Sequence, residues 1–507
     1  MPSVASVRLY WPGYRLFPYE QDFALRELRT VADSQVVDNN KLFVEIKSAL
    51  RRESLGRMTY FAFAEDDGGR TETSQHMLEA YCSPSNGRAR QSTRYSVHGL
   101  HEYKGKFNPQ VAHFLINYLD IGNRGIILDP FCGSGTTLVE AMHSGVSSHG
   151  CDLNPLAVFL TNAKINALLT PAEDLHRMLD RIQSRYARSR DMVPDVTPDL
   201  RTAYLAKWFP AETLQTIEIL RVVILAEAKA KADIFLCMLS NLLRDHSFQE
   251  PEDLRVRRRS TPLPSVSIPE QFFTVAASFL VQKARLDHLC PVPRTAWARA
   301  VCRDIREAYR DDFASMPAKG FDAAVTSPPY ATALPYIDTQ RLSIVWLGLR
   351  SPAGIAPLGA NLIGSREFEG QEQRQWAARL AQNSGGLPKP AFEYCRELQT
   401  AVADADGFRR RAVPANLYRY LVGMLAMFDR VAHLLRPAGR FALIVGHNHT
   451  FLGGKRFDID TPGHLVTLAK AKHWHLIETV PLQTYQRYGL HHRNAVGKEE
   501  LILLERR

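Results

Sequence analysis

Between about residues 95 and 170 the apolar positions of the chain keep changing period. "NPQVAHFLINYL" repeats at helical spacing, with Pro109 suited to a first turn. "RGIILDP" is a short apolar run with the look of a strand, and "GSGTTLVEAMHSG" is a glycine loop entering a helix that stops at Gly145. "VSSHGCDLNP" reads as a weaker second strand and "LAVFLTNAKINALL" as a second helix. Strand, loop, helix, strand, helix is the start of a doubly wound parallel sheet.

The alternation then breaks off. From 170 to 295 the pattern is mostly helical: "ETLQTIEILRVVILAEAKAKADIFLCMLSNLL" predicts two helices and "PEQFFTVAASFLVQKARLDHL" another, around a basic, proline-rich connection. Strands resume with "RAVCRDI" and "FDAAV", and later with "GRFALIVG", "HLIETVPL" and "ELILLER", giving seven in all. "NLYRYLVGMLAMFDRVAHLL" and "PGHLVTLAKAKH" predict helices between them, whereas 350–415, with its Gly, Pro and Arg, predicts irregular structure. Before residue 95 the pattern is mixed. "DFALRELRTV" and "NNKLFVEIKSAL" have helical spacing, and "DDGGRTETS" and "CSPSNGRARQST" look like loops. The expected division is an extension over 1–94, core over 95–169, helical insertion over 170–295, core over 296–349, a second insertion over 350–415 and the last core strands over 416–507.

Composition narrows this little. The 507 residues are 45% hydrophobic and 23% charged, ordinary for a globular protein. No apolar run of about 18 residues appears, so no membrane span is expected. The first twenty residues lack the apolar stretch and cleavage site of a signal peptide. Seven cysteines without a Cys-x-x-Cys pair argue against a disulfide framework or a zinc site and fit a reducing cytoplasm. The histidines of "HHRN" and "GHNHT" lack matching carboxylates, so no metal site is expected. A net charge of +10 permits a polyanionic partner without requiring one.

Two loops carry the chemistry. In "DPFCGSGTT", Gly133 and Gly135 allow tight turns and close approach of a ligand to the backbone. No lysine follows them, which excludes a P-loop. Asp152 ends the next strand, placed to accept hydrogen bonds from ribose hydroxyls, and Asp304 ends "AVCRD", placed to reach an adenine amino group. The second loop is "TSPPY". Two prolines cannot continue a sheet, so it is a stiff loop at the carboxyl end of "FDAAV", where open α/β sheets bind ligands.

Together "DPFCGSGTT" and "TSPPY" resemble the S-adenosylmethionine-dependent amino-methyltransferases of DNA, which modify an exocyclic nitrogen of cytosine or adenine. "HEYKGKFNPQVAHFLINYL" resembles the cofactor-binding segment that can precede their glycine loop, with Lys106 and Phe107 at its basic and aromatic positions. The resemblance covers 95–167 and 297–347 well and 416–507 more loosely. It implies a Rossmann-like α/β methyltransferase fold with a seven-stranded sheet and a large, mostly helical insertion between strands two and three. It implies S-adenosylmethionine contacts at Lys106, Phe107, Asp129, Phe131, Gly133, Gly135, Thr136, Asp152 and Asp304. Ser327, Pro328, Pro329 and Tyr330 become the catalytic residues, acting on a base flipped out of double-stranded DNA.

The target nitrogen is a poor nucleophile because its lone pair is delocalised into the ring. Ser327 Oγ and the Pro328 carbonyl can accept its two hydrogens and aim the lone pair at the methyl group, while Tyr330 can stack on the flipped ring. No Pro-Cys motif supplies the nucleophile that carbon-5 methylation needs. Within the resembled families, Ser at the first position leans toward N4 of cytosine, whereas Asp or Asn leans toward N6 of adenine. RNA guanine-N2 and protein glutamine methyltransferases usually carry Asp or Asn there, and an inactive binding subunit would not keep both loops intact. The arginines of "DLRVRRR" (Arg255, Arg257, Arg258, Arg259) and "FRRR" (Arg409, Arg410, Arg411) are candidate DNA contacts, with a solvated charged turn as the alternative for each run. The resemblance leaves open a cognate restriction or defence-system protein as a partner.

Overall fold

The computed structural model describes residues 5–32, 35–48, 52–83, 91–122, 125–189, 199–253, 256–293, 295–331, 337–368, 371–483 and 498–507. Strands β1 (Ala5–Tyr10), β2 (Gln35–Asn39), β3 (Phe43–Ser48), β4 (Phe63–Asp66) and β5 (Gly69–Glu72) form an antiparallel sheet in the order β2-β3-β1-β4-β5. The second sheet is built from β6 (Ile126–Asp129), β7 (Ser147–Asp152), β8 (Ala298–Cys302), β9 (Phe321–Thr326) and β10 (Leu435–Gly446). A separate hairpin, β11 (Asn448–Leu452) and β12 (Lys455–Ile459), precedes its last members, β13 (Trp474–Gln483) and β14 (Lys498–Arg506).

The order of the seven-stranded sheet is β13-β14-β10-β9-β6-β7-β8. The strands β6 to β10 run parallel, and β14 pairs antiparallel with both β10 and β13. From β6 the chain winds outward through β7 and β8, then returns to lay β9 and β10 on the other side. That reversal opens a crevice at the carboxyl ends of β6 and β9. This is the α/β, Rossmann-like methyltransferase topology that the resemblance implies.

Local sequence explains why the crevice forms there. Asn108 caps the helix Pro109–Tyr118 and Asn154 caps Pro155–Leu169, each accepting a backbone N–H two residues on, with proline in the first turn. Between them Gly135, at φ +82, turns the chain into the helix Thr136–His143. The helix Pro155–Leu169 is buried on most sides because the insertion covers it. Ala172–Ser189, Ala211–Ala228, Ala232–Leu242 and Ile268–Leu289 share one apolar core with it, through Leu160, Leu175, Leu220, Phe235 and Leu280.

The antiparallel sheet packs over one face of the parallel one. Leu9, Phe23 and Val44 lie in one core with Phe114, Ile127, Ala323, Ala442 and Leu501, and the rings of Phe23 and Phe114 stack at 4.0 Å. The other face is covered by Val413–Leu434 and Thr461–Ala471.

Three expectations are corrected. "NNKLFVEIKSAL" is not a helix: Phe43–Ser48 is a strand whose Val44 and Ile46 are buried while Lys47 faces solvent, a period of two that a run of neighbouring apolar residues disguises. "DDGGRTETS" is not a plain loop but the turn and second strand of a hairpin, with Gly69 at φ +109. Nor is 350–415 irregular, since it holds the helices Ile355–Asn361, Glu372–Gln382 and Lys389–Ala401. Proline punctuates that segment by starting a helix, as in the first turn of Lys389–Ala401, rather than by breaking one.

Candidate active site

The glycine loop is held from both sides. Asp129 ends β6, is 1% exposed, and receives the Phe131 N–H at 3.1 Å and the Thr326 hydroxyl at 2.6 Å. Thr326 immediately precedes Ser327, so one buried carboxylate ties the glycine loop to the Ser-Pro-Pro-Tyr loop. Asp152, at the end of β7, accepts the N–H of Gly133 at 3.0 Å and of Asn154 at 2.8 Å. Burial pushes both acids up to about 6.

The glycines are required by the space around them. A Cβ on Gly135 would lie 2.8 Å from the Thr161 methyl, and Gly133, at φ +50, faces the Tyr103 ring. Thr161 Oγ1 donates to the Gly133 carbonyl at 3.0 Å. Lys164, fully buried, donates to the Ser134 carbonyl at 3.0 Å, and burial lowers its pKa to about 8. Thr136 is buried at the start of the following helix, while Phe131 is half-buried beside it.

The segment preceding the loop is pinned to the same helix. Glu140 Oε1 accepts from Tyr95 at 2.8 Å and meets His98 Nε2 at 2.6 Å, and Oε2 meets His113 Nδ1 at 2.9 Å. Burial alone would raise the Glu140 pKa, but the hydrogen bonds from His113 and His98 outweigh it and hold the group below the usual carboxylate range. Lys106 donates to the Thr93 carbonyl at 2.9 Å, and burial lowers its pKa well below the usual range. Phe107 packs against the core shared with the antiparallel sheet. Asp304, half-buried at the end of β8, caps its own turn and pairs with the Arg306 guanidinium at 2.5 Å.

In the Ser-Pro-Pro-Tyr loop the Ser327 hydroxyl donates to the Ile444 carbonyl of β10 at 3.1 Å. Its hydrogen is thereby committed, and what the oxygen has left to offer is acceptor capacity. Pro328 is buried and Pro329 half-buried. The Tyr330 hydroxyl donates to Glu499 of β14 at 2.6 Å, and Asn448 Nδ2 donates to the Ala331 carbonyl at 2.5 Å.

The residues fit a nucleoside cofactor. A loop with two glycines at positive φ opens between β6 and its helix, and half-buried carboxylates follow at the ends of β7 and β8, where hydroxyl and amino donors would be received. Among the described residues no group of three or more His, Cys, Asp or Glu side chains could hold a metal ion.

Residues 40–162 match the family model described as a DNA methylase. The resemblance to DNA amino-methyltransferases holds. The methylase match starts between β2 and β3, so the antiparallel sheet is partly inside it, and it covers the glycine loop and Asp152 but not the Ser-Pro-Pro-Tyr loop. It implies S-adenosylmethionine as the methyl donor. The chain is 49% identical over 70 residues to type II methyltransferase M.MjaII of Methanocaldococcus jannaschii, covering 14% of this chain and 13% of that one. It is 24% identical over 281 residues to type II methyltransferase M.MvaI of Kocuria varians, covering 51% and 59%. The chain therefore spans less than two thirds of either relative. Among solved structures, TrmN of Thermus thermophilus aligns at 11% identity with a TM-score of 0.32, covering 99% of this chain and all of that one.

The arginine runs are used unequally. Arg255 lies outside the described residues. Arg257 is 67% exposed and pairs with Asp253 at 3.0 Å. Arg258 lies over the rings of Trp208 and Phe248, and Arg259 donates to the Asp245 carbonyl at 2.6 Å. Arg409 and Arg410 are exposed on the short helix Phe408–Arg411, whereas Arg411 donates to the Asp406 carbonyl at 2.8 Å.

Sequence reasoning missed Thr326, Thr161, Lys164 and Glu499. Only Lys164 left a sequence signal, as one lysine in the apolar run "LAVFLTNAKINALL".

Proposed function

We propose that this protein methylates double-stranded DNA at an exocyclic amino group, N4 of cytosine in a specific sequence, by direct transfer to a flipped base. The observation that carries the reading is Ser327, whose hydroxyl hydrogen goes to Ile444, so that the oxygen is an acceptor in a loop tied by Asp129 to the glycine loop. An amino group is a donor, and an obligate acceptor suits it.

S-adenosylmethionine, when bound, supplies an electrophilic sulfonium methyl. Asp152 and Asp304 receive its ribose hydroxyls and adenine amino group, with Lys106, Phe107, Phe131, Gly133, Gly135 and Thr136 completing the pocket. Ser327 Oγ and the Pro328 carbonyl take the two hydrogens of the target amino group and turn its lone pair out of conjugation. The prolines present no N–H to compete for those acceptors. Tyr330, its hydroxyl anchored on Glu499, supplies the ring on which the base stacks.

The choice of cytosine over adenine rests on the serine at position 327 and on the resemblance that gives it meaning. Exposed Arg257, Arg409 and Arg410 contribute phosphate contacts from the two insertions. A DNA substrate goes with a cytoplasmic location, and a cognate restriction or defence-system protein is the partner class that goes with such modification. The test is transfer of labelled methyl from S-adenosylmethionine to DNA, RNA and protein in parallel. Label in DNA alone supports the reading; label in RNA or protein alone replaces it.

A further inference from the structure

The Ser-Pro-Pro-Tyr loop is pressed from outside by a turn that none of the matched motifs includes. In Leu362–Ser365 the Ser365 N–H donates to the Leu362 carbonyl at 3.2 Å, and Gly364, the third residue, has φ +81. That is the position at which a type II turn calls for glycine. The turn lies directly on the catalytic loop. A Cβ on Gly364 would sit 2.9 Å from the Tyr330 carbonyl oxygen and 3.1 Å from Pro329 Cβ.

The turn is fastened to one face of the helix Val413–Leu434. Arg419, 9% exposed, donates to the Ser365 carbonyl at 2.6 Å and to the Ala360 carbonyl at 3.4 Å, fastening the end of the turn and the helix that leads into it. One helical turn later, Gly423 leaves a notch for Ile363, whose side chain would meet a Cβ there at 3.2 Å. Glycine in a helix interior is less stable than alanine, so the notch is a feature with a stability cost. Arg306 adds a third tether, donating to the Asn361 carbonyl at 3.0 Å while it pairs with Asp304.

We propose that Leu362–Ser365, clamped by Arg419 and seated on Gly423, is a positioning element that sets the backbone of Pro329 and Tyr330 for methyl transfer. Gly364, Ile363 and Arg419 are positioning residues: they act through the catalytic loop. The kinetic arm of the test rests on the methyl-transfer reading above; the structural arm does not.

The experiment uses the full chain with Gly364→Ala and Ile363→Ala. Ile363 is only half-buried, so its truncation leaves a folded protein even where the strained alanine at 364 does not. Misplacing reacting groups by about an ångström can cost on the order of a hundredfold. The expected result is a fall in turnover of roughly tenfold or more in both variants, with S-adenosylmethionine affinity within about twofold of wild type. Arg419→Lys, which cannot reach both carbonyls, should fall between them and wild type. Crystal structures of wild type and Ile363→Ala should differ at Pro329–Tyr330 and agree at the glycine loop. Wild-type turnover in both alanine variants, or a catalytic loop unmoved in the crystal, overturns the inference. A wild-type protein that transfers no methyl to DNA defeats the proposed function instead, and the crystal comparison still decides the turn.

Discussion

Asp129 and Asp152 sit inside the carboxyl edge of the parallel sheet, each holding the N–H groups of the loop it positions, whereas Arg409 and Arg410 stand in solvent on a four-residue helix. The edge spends its charges on geometry: every carboxylate oxygen engaged there fixes a loop to a strand end. The arginine runs divide their charges. Arg258, Arg259 and Arg411 knit surface segments to their neighbours, while Arg257, Arg409 and Arg410 keep their charge in contact with water. A residue type therefore does not announce its use; its partners do. Variants at the edge should change chemistry or cofactor binding one at a time, and variants in the runs should separate into those that unfold and those that release DNA.

The largest effect expected is at Ser327. Loss of one preorganised contact to a reacting group costs about 3 kcal/mol in acyl-transfer sites, roughly a hundredfold or more. Ser327→Ala should approach that in turnover, measured at saturating DNA and cofactor, with DNA affinity within about twofold. An equal loss in DNA affinity would make Ser327 a binding residue and blur the contrast.

Next comes Asp152. Desolvation of its carboxyl in the crevice pushes its pKa up to about 6, and only the ionised form has its full acceptor capacity for ribose hydroxyls. Cofactor binding favours the deprotonated acid, so affinity should weaken as pH falls through about 6 and level off above it. Asp152→Ala should lower affinity by roughly tenfold at pH 8 and remove that pH dependence in calorimetry. A variant that keeps wild-type affinity takes Asp152 out of the site.

The arginines should give the smallest effects and the clearest split. Converting Arg409 and Arg410 to Glu should weaken DNA binding a few-fold at moderate salt and reduce the salt slope by about 2, with thermal stability unchanged. Arg258→Glu removes a cation from two aromatic rings and should lower the melting temperature more than it lowers DNA affinity. The reverse pattern, with Arg258 governing DNA affinity, would undo the division of the runs.

Much of the edge was readable before the fold because its signals are local. A strand, a glycine loop, a helix and an acid in order fix where Asp152 sits, and Pro328 and Pro329 end β9 whatever surrounds them. What escaped depends on contacts far apart in sequence. Thr326 bonds to Asp129 across 197 positions and Tyr330 to Glu499 across 169, with nothing at either end to mark the partner. Val44 and Ile46 read as helix from spacing alone, and only the pairing of β1 beside them makes the strand. Gly364 looked like one more glycine of an irregular stretch, and only its φ and its place on Tyr330 give it meaning.

The central claim is that an acceptor pair in a proline-stiffened loop directs methyl transfer to an exocyclic nitrogen. Mass spectrometry of nucleosides from DNA incubated with the protein and S-adenosylmethionine tests it most directly. The expected product is N4-methylcytosine. N6-methyladenine would overturn the choice of base and leave the mechanism standing, and 5-methylcytosine as the sole product would contradict the mechanism itself.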